Sequence, residues 1–253
     1  MALSGARQKK LRFVLPERED ARIAAAAARL EAEGLGQCVD LAAPSPEHVN
    51  AVLRVRPGKE AIARRLVEKP LVRSAAMVAA GQADVLVAGA VAPTRRVIEA
   101  AALAIGLAAE VALPSSFFLM QFPDGREMIW ADCAVNVSPD ADGLAAIAMA
   151  SAASAKALLG TARLAMLSYS TLSSGSGPSV DAVSAAQAML VARGIDALGP
   201  LQADAALNAA VAAKKGVEAG DANVLIFPSL DAGNIAYKLA QELAGAQAVG
   251  PFL

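Results

Sequence analysis

Histidine is nearly missing from this 253-residue chain: His48 is the only one, and Cys38 and Cys133 are the only cysteines. One histidine nearly excludes a His-based metal site, and two cysteines far apart in sequence make neither a disulfide framework nor a metal cluster. Free thiols fit a reducing compartment, so the expected localisation is cytoplasmic. Aromatic residues are only 4% of the chain, which leaves Ala, Val, Leu and Ile to build the cores. An excess of either charge is also absent: 23 Lys and Arg stand against 24 Asp and Glu, a formal net charge of -1. That excludes a broad basic surface, so nucleic acid is not an expected partner. The N-terminal MALSGARQKKLRFVLP has no apolar stretch long enough for a signal peptide. The longest alanine-rich run, residues 143–160, contains Lys156 and several serines. It reads as a buried helix of a soluble protein, with no membrane partner expected. No GxGxxG opens a helix, which counts against a dehydrogenase-type dinucleotide site.

What is present is apolar and alternating. The chain is 56% hydrophobic with a mean hydropathy of +0.45, enough to bury sizeable cores. Strand-length runs at 12–16, 37–41, 84–90, 163–168 and 223–227 are separated by helical stretches at 17–33, 59–69, 71–80, 94–105, 143–159, 179–193, 203–215 and 234–243. A short helix is expected near 47–54. The run 84–90, DVLVAGA, has the continuous apolar character of a buried parallel strand. Two further strands, 116–122 and 127–132, flank Asp124-Gly125, a hairpin signal that brings antiparallel strands into the sheet. The polar segment AVNVSPDADG after Cys133 reads as a linker. The expectation is therefore an α/β protein with mostly parallel sheets and two domains, residues 1–136 and 137–253.

The stretch 163–193 carries the clearest functional signal. A buried strand is followed by a loop of small hydroxyl and glycine residues, and then by a helix opening at Pro178 and Ser179. Glycine lets backbone N–H groups approach an anion, and the helix start adds unpaired N–H groups and partial positive charge. An ordinary flexible turn remains the alternative. Ligands in open α/β sheets bind beyond the carboxyl ends of strands. Those ends carry AGAVAPT, ADCAVN, SYSTLSSGSG and FPSLDAGN, all able to line one cleft between two domains. The candidate substrate-binding residues are Ser168, Ser170, Thr171, Ser173, Ser174, Gly175, Ser176, Gly177 and Asn234.

Plainer readings stand beside these. His48, in the polar APSPEHVN, reads as a solvated loop or helix-start residue. Cys133 reads as a packed core thiol rather than a nucleophile. Asp132 caps the following turn or acts in catalysis. Asn234 caps the last helix or contacts substrate. Arg54, Arg64, Arg65 and Arg73 reach a phosphate or sit on solvated helix faces.

Six segments, in order, resemble the phosphate acetyltransferases, the phosphotransacetylase (phosphate acetyl/butyryl transferase) family. They are VAGAV at 87–91, SSFFLM at 115–120, WADCAVN at 130–136, AMLSYSTLSSGSG at 165–177, GPLQADAAL at 199–207 and ANVLIFPSLDAGNIAYK at 222–238. The opening VLPEREDAR is similar as well. The resemblance implies two αβα domains with a cleft between them, isocitrate/isopropylmalate dehydrogenase-like, and a homodimer. It implies transfer of an acetyl or short acyl group between coenzyme A and inorganic phosphate, with acetyl-CoA or acetyl phosphate as substrate and no metal or other cofactor. Three departures accompany it. Ala92 stands where the family commonly has histidine, and Glu99 where it has arginine. Arg95 and Arg96 lie nearby but are expected on helix faces other than that of Glu99. The family's Pro-Val-Asn-Asp-Leu-Ser-Arg-Gly segment, with its phosphate-binding serine and arginine and the proposed aspartate base nearby, has no counterpart after GPFL at 250–253. The catalytic residues therefore stay unassigned. The departures imply an alternative: a catalytically impaired member that binds coenzyme A, a phosphate ligand or a partner protein.

Overall fold

In a computed structural model of the chain, the residues described are 10–109, 111 and 113–253. The chain divides into two compact units, Met1–Ala108 and Ala109–Leu253. The boundary expected at 136/137 is thus corrected to 108/109, and the cause is the hairpin. Its strands pair with strands from the end of the chain, which places them in the second sheet. The segment after Cys133 is a strand-end loop up to Asp140 and a helix start beyond it, rather than a linker.

The first unit runs β1 (Arg12–Val14), α1 (Ala21–Ala32), β2 (Gln37–Val39), α2 (Pro46–Val55), α3 (Glu60–Val67), α4 (Pro70–Ala79), β3 (Val85–Leu86) and α5 (Thr94–Ala104). The three strands are parallel in the order β2-β1-β3. α1 begins where the Asp20 carboxylate accepts the Arg22 N–H. Its Ala27, Ile23 and Leu30 pack with Phe13, Leu15 and Cys38, while Met77 of α4 clusters with Val14. Strand alternation puts Phe13 and Val14 on opposite faces, so helices cover both. The run 84–90 is parallel, as expected, but only Val85 and Leu86 stay in the ladder. β3 is an edge strand, and Val87 is already exposed.

His48 departs from its sequence reading. Ser45 accepts the His48 N–H and Pro46 opens α2, so the helix starts early enough to turn His48 inward with Val49 and Val52. The imidazole is completely buried, with Nε2 2.7 Å from Gln82 Oε1. The Gln82 amide donates to Glu47 at 2.7 Å.

The second unit runs β4 (Phe117–Gln121), β5 (Glu127–Ala131), α6 (Ala141–Leu159), β6 (Leu164–Leu167), α7 (Pro178–Ala192), β7 (Ala197–Leu201), α8 (Ala203–Leu207), α9 (Ala209–Lys214), β8 (Val224–Ile226), α10 (Leu230–Ala244) and β9 (Gln247–Phe252). The sheet order is β7-β6-β8-β5-β4-β9. β7, β6, β8 and β5 are parallel, and β4 is antiparallel to β5 and β9. Alternation feeds two cores. Ile129, Leu164, Met166, Val224 and Ile226 meet α6 and α7 on one face. Met128, Trp130, Ala165, Leu167, Leu225 and Phe227 cluster with Ala205 and Ala206 of α8 and Tyr237 of α10 on the other. α6 is long and apolar enough to cross a bilayer by length and composition, but its Leu144, Ile147, Ala148, Ala152 and Ala155 are spent in this core.

Two strands, β7 and β9, were hidden behind proline-containing sequences. The single helix expected at 203–215 is two, because the Asn208 side chain accepts the Ala210 and Val211 N–H groups and restarts the helix there.

Candidate active site

In the second unit the parallel strands all end on one edge. From there β5 feeds α6 and β6 feeds α7, on one face of the sheet. β8, lying between β5 and β6, feeds α10 on the opposite face. Neighbouring strands whose chains depart to opposite faces leave a crevice at their carboxyl ends, the place where such sheets bind ligands.

Asp132 sits at the β5 end of that crevice, 2% exposed. Its carboxylate accepts from the Ser116 hydroxyl, the N–H groups of Ala134, Val135 and Asn136, and the Asn136 amide. A carboxylate buried this deeply needs such a donor set. With its lone pairs committed, Asp132 shapes the 133–139 loop; the capping reading fits this geometry. That loop borders an open cavity of ≈ 420 Å³ lined by Leu113, Asn136, Val137, Pro139 and Asp142 among others. α10 closes on the same strand end. The Leu230 N–H donates to Val137 O at 3.0 Å, and Asn234 Nδ2 to Cys133 O at 3.1 Å. Asn234 is therefore a half-buried tether within α10; the cap is Ser229, and the helix begins at Leu230, four residues before the expected start.

The serine loop follows β6. Ser168 is half-buried, and its hydroxyl accepts the Ser170 N–H. Ser170 is fully buried and acts as the loop's hub: its hydroxyl accepts the Gly175 N–H at 2.8 Å and donates to Leu172 O at 3.1 Å. Thr171, also buried, accepts the Gln202 N–H, and its own N–H reaches the Ser174 hydroxyl. Ser173, Ser174 and Ser176 are exposed, with Gly175 and Gly177 half-buried. The exposed Tyr169 donates its phenol to Ser176 O at 2.8 Å. Gly177 is the N-cap of α7 and brings no side-chain cap to its first turn. The loop is thus bound to the β7 end, whereas Asn234 belongs to the β5 end. The two flank β8, and among the described residues no hydrogen bond joins them.

Cys133 is completely buried. Burial, and then the neighbouring Asp132 charge, push its thiol far above the ordinary range. Such a thiol is a core residue rather than a nucleophile, as its position suggested.

The first unit offers a separate feature. A cleft of ≈ 670 Å³ has Leu66, Leu71, Val72 and Leu103 among its lining residues, together with Glu17, Lys69 and Arg96. Glu17 Oε2 accepts the N–H groups of Gly89 and Ala90 at 2.9 and 2.8 Å, and Oε1 accepts that of Ala92 at 2.7 Å. Burial alone would raise this carboxyl; the backbone donors of Ala92, Gly89 and Ala90 outweigh it and hold the group below its usual range. Arg95 bonds Glu99 at 2.9 Å, one turn along the same face of α5, which corrects the expectation that both arginines face away from Glu99. Arg96 lines the cleft instead. Of the other arginines, Arg54 bonds Ala79 O, Arg64 pairs with Glu60, and Arg73 binds the carbonyls at the end of α3. Arg65 is exposed on α3. Glu17, Ser116 and Gln202 were not singled out by sequence reasoning. The one local signal was Glu17's place just after the strand-ending Pro16. Among the described residues no group of three or more His, Cys, Asp and Glu is placed to hold a metal.

Residues 45–253 match the model of the Phosphate acetyl/butaryl transferase family. The chain belongs to this family. A phosphate acetyltransferase of Paracoccus denitrificans is 38% identical over 270 residues, covering 95% of this chain and 85% of that protein. One from Acinetobacter baylyi is 37% identical over 277 residues, covering 96% of this chain but only 38% of its own length. A solved phosphotransacetylase from Streptococcus pyogenes superposes with a TM-score of 0.86 at 31% identity, covering 99% of this chain and 88% of that one.

Proposed function

We propose that the chain is a phosphate acyltransferase, moving an acetyl or other short acyl group between coenzyme A and inorganic phosphate. The observation that carries this reading is the serine-glycine loop: hydroxyls of Ser173, Ser174 and Ser176 exposed beside the uncapped first turn of α7, at the carboxyl end of β6. Such donors suit a phosphate dianion and the oxyanion of an acyl phosphate under attack. The coenzyme thiolate attacks the acyl carbonyl, the C–S bond forms, the C–O bond to phosphate breaks, and phosphate leaves with the electron pair. Ser168, Ser170 and Thr171 act from inside the loop, by holding it. Gly175 and Gly177 let its backbone approach the anion, and Asn234 serves the crevice by fixing the β5 end. No acyl-cysteine step is part of this reading, since Cys133 is buried. The group transfer needs only its two substrates, without metal or resident cofactor.

The chain works in this reading as a cytoplasmic homodimer. Support for the dimer comes from Ile235, Leu239 and Leu243, one face of α10, which are 57%, 52% and 81% exposed. The test of function is thioester formation from acetyl phosphate and coenzyme A by the purified chain. Turnover above buffer at millimolar substrate supports the reading; coenzyme binding by calorimetry without turnover sinks it. Light scattering checks the dimer.

A further inference from the structure

The cleft of the first unit has a built wall. Loop 89–93 leaves the end of β3, and the carboxylate that holds it comes from the end of the adjacent strand, β1. Gly89 lies at φ +114, a conformation open to glycine and rarely adopted by L side chains, so the turn depends on glycine at this position. The opposite side of the loop is tied too: Arg22 donates to Ala90 O at 2.9 Å while pairing with Asp20. α5 follows directly from Pro93, which supplies no side-chain cap, so the loop alone fixes where the first turn of α5 begins. Arg96 stands in that turn and lines the cleft.

The cleft's chemistry is asymmetric. Leu66, Leu71, Val72, Ala100 and Leu103 give it an apolar side. Lys69 and Arg96 are exposed cations, and among the described residues neither pairs with a carboxylate. Glu99, the acid one turn from Arg96, is engaged by Arg95. The lining also holds Asp20, which pairs with Arg22, and Glu19, which has no cation partner among the described residues, so the free cations outnumber the free acid by one. An apolar surface with this excess suits a ligand with an extended, partly apolar body and an anionic head. Of the two substrates in the acyltransferase reading, on which this inference rests, only coenzyme A has that form.

We propose that Glu17 is a positioning residue: it holds loop 89–93 as a wall of the first unit's cleft, places Arg96, and thereby sets the affinity for coenzyme A. It touches no reacting atom. The replacement Glu17→Gln keeps the length but turns an amide donor toward backbone donors. Glu17→Asp keeps the charge but is one methylene too short to reach all three N–H groups.

The test uses the whole chain. In steady-state assays E17Q raises KM for coenzyme A by about fivefold or more while kcat and KM for acetyl phosphate stay within about twofold. E17D falls between E17Q and the parent, and R96A raises KM for coenzyme A in the same way. Calorimetric titration of coenzyme A into the parent and E17Q gives the same ordering without relying on turnover. An unchanged KM and Kd for the coenzyme overturns the inference. So does a uniform loss in kcat and both KM values accompanied by a lower unfolding midpoint, the mark of a merely structural role. A parent chain that binds no coenzyme overturns it as well. If the parent binds coenzyme but never turns over, the acyltransferase reading fails while weaker binding by E17Q still supports the positioning role. Turnover with identical Kd for both proteins overturns the positioning role alone.

Discussion

Gly233 and Asp132 are in closer contact than any side chain would allow: a Cβ on Gly233 would stand 2.5 Å from the Asp132 carbonyl oxygen and 2.9 Å from Cys133 Sγ. The first turn of α10 therefore rests directly on the end of β5. Gly233→Ala must push the helix off the strand. An overpacking cost of about 1–3 kcal/mol is expected. Urea unfolding measures it; a midpoint equal to the parent's would show that the helix moves freely.

Asp132 is expected to outrank each of its partners. Ser116→Ala removes one donor to a buried carboxylate and should cost about 1.5–3 kcal/mol. Asp132→Asn replaces one carboxylate oxygen by an amide donor, which faces either the Ala134 and Val135 N–H groups or the Asn136 N–H and side-chain amide, and should cost more, with a loss of activity because the 133–139 loop loses its anchor. Equal unfolding midpoints for the two variants would contradict the hub role.

Both units should contribute acid stability, the second through the lowered Asp124 and Asp204 and the first through three carboxylates. Asp20 and Asp84 are each lowered to about 2, chiefly by side-chain hydrogen bonds from Arg22 and Arg12, and Glu17 is lowered by its backbone donors against burial. Groups of this kind bind protons more readily when unfolded, so stability rises with pH through their titration. Their contribution is complete above the unfolded carboxylate values, about 4, and is lost as pH falls toward about 2. Arg12→Ala, which frees Asp84, should flatten that part of the profile. Denaturant midpoints measured across this window check it, and an unchanged slope would argue against the Arg12–Asp84 pairing.

Neither cysteine should react while the protein is folded. Both thiols are buried and both are raised by burial first, Cys133 more so than Cys38. Iodoacetamide at pH 8 should label the chain only after denaturation. Cys133→Ala should keep turnover, since the thiol has no chemical part in the reaction. Rapid labelling in the native state, or an inactive but folded alanine variant, would reopen a covalent route.

Local signals were legible where local chemistry decides. Asp124-Gly125 makes the hairpin turn by its own chemistry. Helix starts were less legible: the side chains of Ser45, Asp140 and Ser229 accept first-turn N–H groups and begin their helices ahead of the expected 47, 143 and 234. The serine loop could be read from segment 163–193, and the family resemblance from six ordered segments between residues 87 and 238. What was misread depended on partners distant in sequence. His48 looked solvated until Gln82 and the α2 core enclosed it. β9 carries no strand signal of its own and becomes a strand through its ladder with β4. Asn234 reads equally as a cap or a substrate contact in sequence, and its amide is instead engaged by Cys133 O.

The sequence by itself determined the alternation of strands and helices, the alanine-built cores and the donor-rich loop after β6, because hydrophobic period, capping and turn chemistry act over a few residues. Only the tertiary structure decided which groups remain free for a ligand. Ser170 and Thr171 are consumed inside their loop, Asp132 by five donors, and Glu17 by N–H groups up to 75 positions away. Hydrogen-bond capacity is finite, and its allocation depends on which strand ends the sheet order sets side by side.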